Sequence, residues 1–226
     1  MMMPKLLKRI TGSWANVVIL VGVGLVVYAF APYVISEGWY RLLQLRNQKY
    51  VLNKDATGEN PQRSVFGELL AGSSINISPV NNDFALVIEK IGLNVPVVKG
   101  VSVVDRAKYM AALREGVAHA KGTALPSENA GNVYIFAHSS LNFWALGKYA
   151  TAFNLLRKLE LKDEINVFYD GRLFVYEVVN REILPGWNTY PLTRRVIEPV
   201  LTLQTCDPPG TTFNRLVVTA LLKNVI

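Results

Sequence analysis

From Trp14 to Ile35 the chain carries no charged side chain, and Asn16 is its only amide. A run this long can cross a bilayer as a helix, since about 20 apolar residues span the hydrocarbon core. Its flanks give it a direction. Lys5, Lys8 and Arg9 precede it and no acid appears before Glu37, so the positive-inside bias predicts a cytoplasmic stretch at 1–13, an anchor at 14–35 and the remainder outside the cell membrane. Trp14 and Tyr33 suit the two interfaces. A cleaved signal peptide is the competing reading, because Ala29-Phe30-Ala31 has the small-x-small form of a cleavage site. Pro32 would then follow the cut, and the run exceeds a typical signal core, so the uncleaved, single-pass anchor is preferred.

An anchor of this kind changes how the composition reads. Half of the 226 residues are hydrophobic and a tenth are aromatic, which excludes general disorder. The net charge of +7 includes the three cations before the anchor, and the rest is a mild, dispersed excess without dense Lys/Arg blocks. A membrane is therefore an expected partner and nucleic acid is not. Residues 36–63 read as a juxtamembrane helix and linker: Trp39, Tyr40, Leu42, Leu43 and Leu45 mix with Arg41, Arg46 and Lys49, then Gly58, Asn60 and Pro61 mark a polar stretch. Residues 64–226 make one domain, with 64–83 its lid or lead-in.

Within that domain extended segments recur between turn residues. Strands are predicted at 84–90, 93–99, 133–137, 164–169, 172–179, 200–206 and 215–222. Helical patterns cover 106–114 and 150–159, the second from Phe153, Leu156 and Leu159 at spacings of three. The predicted fold is mainly β, a closed or nearly closed barrel with two or more short helices, since a sheet this large needs protected edges.

Cys206 is the only cysteine. Placed outside the cytoplasm it has no internal disulfide partner, which leaves either an inert buried thiol or one kept for chemistry. Alternation along its strand puts Thr202, Gln204 and Cys206 on one face and Leu201, Leu203 and Thr205 on the other. Asp207-Pro208-Pro209-Gly210 ends that strand and Arg215 opens the next. If the two pair antiparallel, the guanidinium stands beside the thiol, lowering its pKa or meeting a developing oxyanion. A cysteine nucleophile also needs a proton partner, and histidine is the usual one. Of the two histidines, His138 follows an apolar strand and is the stronger candidate; His119, in Gly116-Val117-Ala118-His119-Ala120, could line the same site.

These residues match a family: the chain resembles the sortases, membrane-anchored cysteine transpeptidases of bacterial envelopes, over roughly residues 84–222. Thr202-Leu203-Gln204-Thr205-Cys206 is similar to the family's TLxTC signature, Arg215 stands where its strand-opening arginine does, and Gly131-Asn132-Val133-Tyr134-Ile135-Phe136-Ala137-His138 looks like its histidine-bearing strand. Gly122 to Pro126 and Ile88 to Val98 supply supporting matches. The resemblance implies an eight-stranded barrel in which Cys206 attacks a threonyl carbonyl of a C-terminal sorting signal, often of the LPxTG type, on a secreted protein. An amine, from a peptidoglycan precursor or a pilin lysine, then resolves the thioester. His138 would move the proton, Arg215 would hold the substrate or oxyanion, and Thr205 and His119 would contact the substrate. Ala137 replaces a glycine common in relatives, and Lys162-Asp163-Glu164 a commoner Gly-Asp turn. The absence of a second apolar span near Ile226 favours an anchoring enzyme over a pilin polymerase.

Competing readings are weaker. An L,D-transpeptidase-type thiol enzyme expects Ser-x-Gly-Cys, where this chain has Leu203-Gln204-Thr205-Cys206. A non-catalytic tethered barrel would bury Cys206. Ser139 and Ser140 lack a Gly-x-Ser-x-Gly elbow. No cofactor and no metal site are expected, because one cysteine and two separated histidines show no zinc spacing and no compact acidic loop suggests calcium ligands.

Overall fold

The computed structural model describes residues 5–53, 74–139 and 147–226. The predicted linker beyond Asn53, the domain start at 64 and Ser140 lie outside these residues.

The apolar run and the predicted juxtamembrane helix form one element, α1 (Lys5–Leu45), which passes through Pro32. Beyond the apolar run, Glu37 and Arg41 pair at 2.9 Å one turn apart, which favours continued helix. A Schellman motif ends it: Asn47 takes a left-handed φ of 51°, its N–H reaches the Gln44 carbonyl, and the Gln48 N–H reaches the Leu43 carbonyl. Trp14–Leu45 is long and apolar enough to cross a membrane. A short strand, β1 (Tyr50–Leu52), follows and pairs in parallel with β2 (Ile75–Ile77).

Eight further strands close into a barrel: β3 (Phe84–Ile88), β4 (Leu93–Val101), β5 (Val117–Ala120), β6 (Gly131–Phe136), β7 (Glu164–Tyr169), β8 (Arg172–Pro185), β9 (Pro199–Asp207) and β10 (Asn214–Val225). The order around the barrel is β10-β8-β7-β3-β4-β5-β6-β9, closed by β9 against β10. Only β4–β5 and β6–β9 are parallel. Such pairs need a crossover, and between β4 and β5 it is α2 (Arg106–Glu115), whose first turn is capped by the Asp105 carboxylate accepting from the Lys108 N–H. A barrel of this size is filled by side chains. Leu86, Ile135, Ile165, Leu201, Leu203 and Val218 fill it, each fully buried.

Two sequence expectations change. β5 was not predicted as a strand, since Ala118-His119-Ala120 has no β-branched or aromatic residue; burial of the whole strand holds it in place. The helix predicted at 150–159 is a series of turns with a 3₁₀ turn at Leu156–Lys158. Phe153, Leu156 and Leu159 are buried as their spacing implied, and a spacing of three is the 3₁₀ period, not the α period.

The lower end of the barrel receives α1. Leu43 is buried, Tyr40 packs on the main core, and Lys158 reaches Glu37 at 2.7 Å. The Trp39 indole N–H donates to the Tyr50 hydroxyl at 2.8 Å. Tyr50 in turn lies on Gly92, whose φ of 64° and lack of a Cβ the contact requires: a Cβ there would sit 2.4 Å from the ring.

Candidate active site

The outer faces of β6, β9 and β10 carry the candidate residues in one row. Arg215 is the direct antiparallel partner of Cys206. The parallel register of β6 and β9 runs to Phe136 opposite Gln204 and is extended by the Ala137 N–H donating to the Gln204 carbonyl at 3.2 Å. One residue further, His138 comes level with Cys206. Histidine, thiol and guanidinium thus sit side by side on three neighbouring strands. The next outward rows are Phe136, Gln204 and Val217, then Tyr134, Thr202 and Thr219.

From these rows Cys206, Arg215, Phe136, Gln204 and Tyr134 line a cleft of about 430 Å³. One wall is α2 with Tyr109 and the preceding Val103 and Val104; the other is the β8–β9 connection, with Asn188, Thr189 and Leu192. That connection contains α3 (Tyr190–Thr193). Tyr109 stacks on Phe136 with centroids 5.3 Å apart and meets the His138 ring edge-on at 5.8 Å. His138 Nε2 is buried and, among the described residues, has no hydrogen-bond partner.

Burial sets the resting charges. It pushes the Cys206 thiol above its usual value, and Arg215 offsets this only in part. It holds the His138 imidazole below its usual value. The resting pair is therefore a neutral thiol beside a neutral imidazole, so the thiol proton must transfer as attack begins. Arg215 Nη1 donates to the Thr212 and Asn214 carbonyls, each at 3.1 Å, and a guanidinium retains further donors after two such contacts. Among the described residues no group of three or more His, Cys, Asp or Glu is placed to hold a metal ion.

A family model described as the Sortase domain matches residues 86–223. The chain belongs to the sortase family. Solved sortases share the fold. Sortase C-1 of Actinomyces oris is 26% identical, with 64% of this chain and 76% of that one covered at a TM-score of 0.54. The Clostridium perfringens sortase D5 transpeptidase is 25% identical, with 64% and 80% covered at 0.51. A lid mutant of Streptococcus agalactiae sortase C1, 20% identical, covers 87% of this chain and 95% of its own at 0.52. No curated protein sequence matches the chain.

Within the sortase domain, the remaining two predicted residues serve different surroundings. Thr205 faces inward and is buried, and its hydroxyl donates to the Ala137 carbonyl at 2.9 Å. It ties the end of the histidine strand to the cysteine strand while also bordering the cleft. His119 lies on β5 apart from the cleft lining and is buried. Its Nδ1 accepts from the Gly100 N–H at 3.3 Å, which leaves Nε2 as the donor to the Ala124 carbonyl at 2.9 Å. Tyr109 and Leu192 carry no motif in the sequence, and only the crossover and the β8–β9 connection bring them to the cleft; Tyr134 lies within the histidine-bearing segment but is not singled out there.

Proposed function

We propose that this sortase is a single-pass membrane enzyme, anchored by α1 with its barrel outside, that cleaves a sorting signal and transfers the cargo to an envelope amine. The observation that carries the reading is Cys206 paired with Arg215 in the cleft lining, with His138 brought level with them by the register that Ala137 extends. As Cys206 Sγ attacks the scissile carbonyl, His138 takes the thiol proton and Arg215 donates to the developing oxyanion. Collapse breaks the peptide bond, His138 returns the proton to the leaving amine, and a thioester remains. An incoming amine, from a peptidoglycan precursor or a pilin lysine, loses its proton to His138, attacks the thioester carbonyl and expels the thiolate. Its product is a new amide and a restored thiol.

The test is intact-protein mass spectrometry of the full chain in detergent, incubated with LPxTG-like peptides with and without a small amine. The expected result is a mass increase equal to the peptide's N-terminal fragment, discharged by amine into an amide and absent in Cys206→Ala. A folded protein whose thiol forms no adduct with any peptide and resists alkylation would instead be an inert tethered barrel.

A further inference from the structure

A second depression adjoins the cleft at the end away from Cys206. Leu192, part of the cleft wall, also borders this shallow depression of about 680 Å³, lined by Lys121, Thr123, Asn132, Arg194 and Arg195 among others, with no acid in its lining. Arg194 is the unusual member. Its side chain is part-buried, its Nη2 donates to the neutral hydroxyls of Thr202 at 2.8 Å and Thr219 at 3.0 Å, and its Nε is buried without a hydrogen-bond partner. Among the described residues, no ion pair reaches Lys121, Arg194 or Arg195. A cation withdrawn from water with no counter-charge is costly to hold, and an arriving carboxylate recovers that cost.

The position of this charge along the floor indicates what brings the carboxylate. Arg194 is bonded to the Thr202 and Thr219 row, four residues along β9 from Cys206, and Asn132 lies six residues before His138. At about 3.3 Å per strand residue these are ~13 and ~20 Å from the reacting row. An extended peptide with its scissile carbonyl at Cys206 covers that distance in about five or six residues. The acyl side is assigned to this end, because it stays bound through both steps while the leaving and incoming amines exchange.

Resting on the transpeptidase reading above, we propose that Arg194, with Lys121 and Arg195, forms a subsite for an acidic side chain five or six residues before the scissile bond of the sorting peptide. The subsite selects cargo whose signal is preceded by Asp or Glu.

The experiment measures kcat/KM for acyl-enzyme formation by the full chain in detergent. The peptides share one signal and carry Glu, Ala or Lys at the fifth and sixth residues before the scissile bond. Glu is expected to exceed Lys by roughly fivefold to tenfold at low salt, with the gap closing as salt screens it. Arg194→Gln should narrow the gap. Because Arg194 also braces the cleft wall, the exposed pair Lys121→Glu with Arg195→Glu provides the second variant, and there the order should reverse. Equal rates for Glu, Ala and Lys peptides would overturn the subsite while leaving the transpeptidase reading intact. So would a charge-reversed protein slowed only when amine resolves the thioester, which would move the subsite to the acceptor. Absence of adduct with every peptide would overturn both.

Discussion

Where α1 meets the barrel, Lys158 reaches Glu37 at 2.7 Å and lies over the Tyr40 ring, and Lys90 is held between Glu160 and Asp163 at 2.6 and 2.9 Å. In the cleft and the depression beside it, among the described residues, Arg215 hydrogen-bonds only to backbone carbonyls, Arg194 only to hydroxyls, and His138 Nε2 has no hydrogen-bond partner. Both regions are part-buried and cationic, yet only one is neutralised from within. A docking surface is complete when the chain folds, so its charges pair inside the protein. A reactive surface keeps donors and a proton acceptor for a molecule that comes and goes, and the fold bears the cost of leaving them unmatched.

Substitutions at the two regions should therefore separate activity from stability. Cys206→Ala should remove the acyl-enzyme completely in the mass spectrum while leaving the melting temperature near the parent's. Arg215→Ala should lower kcat/KM by about 10²–10³-fold, the loss of one oxyanion donor, with little change in melting. A melting drop that accompanied that loss would make Arg215 a structural residue and break the contrast.

The pH profile sharpens it further. Burial lowers His138 and raises Cys206, so the bell of kcat/KM should be wide, its acid limb below the usual imidazole range and its alkaline limb above the usual thiol range. Arg215 opposes the rise at Cys206, so removing it should move the alkaline limb higher still, visible as the pH dependence of thiol alkylation.

At the docking end the signs invert. Gly92→Ala forces a Cβ into a left-handed residue and against Tyr50, and should cost about 1–2 kcal/mol in urea unfolding with the acylation rate retained. Lys158→Ala should cost about 1 kcal/mol or less, because Arg41 still pairs with Glu37. An activity loss in either variant larger than its stability loss would show that helix docking and chemistry are coupled.

The pairing of Cys206 with Arg215 was legible because its determinants are local. Thr202 to Cys206 fixes a strand, the Pro208-Pro209-Gly210 turn fixes a hairpin, and alternation then sets which face Cys206 and Arg215 share. The family match and the barrel follow from those same strands. What was illegible depends on parts distant in sequence. Tyr109 reaches His138 only because a right-sized crossover lays α2 over β6, and Arg194 reaches Thr202 and Thr219 only because the β8–β9 connection folds back onto the floor. In sequence His119 is a site candidate as one of only two histidines, but its ring nitrogens are engaged by Gly100 and Ala124, contacts that sequence spacing does not reveal.

The alignment of His138, Cys206 and Arg215 across three strands is a matter of register, and register responds differently to different kinds of mutation. Replacing a floor residue such as Gln204 or Val217 leaves the row where it is. Inserting or deleting one residue within β6 or β9 turns every later side chain on that strand to the opposite face, which carries His138 or Cys206 into the barrel interior. The strands are thus fixed in length during divergence, while the loops 121–130 and 208–213 can change in length without disturbing the row. Relatives that recognise other cargo are therefore expected to differ in loop length around an unchanged three-strand frame.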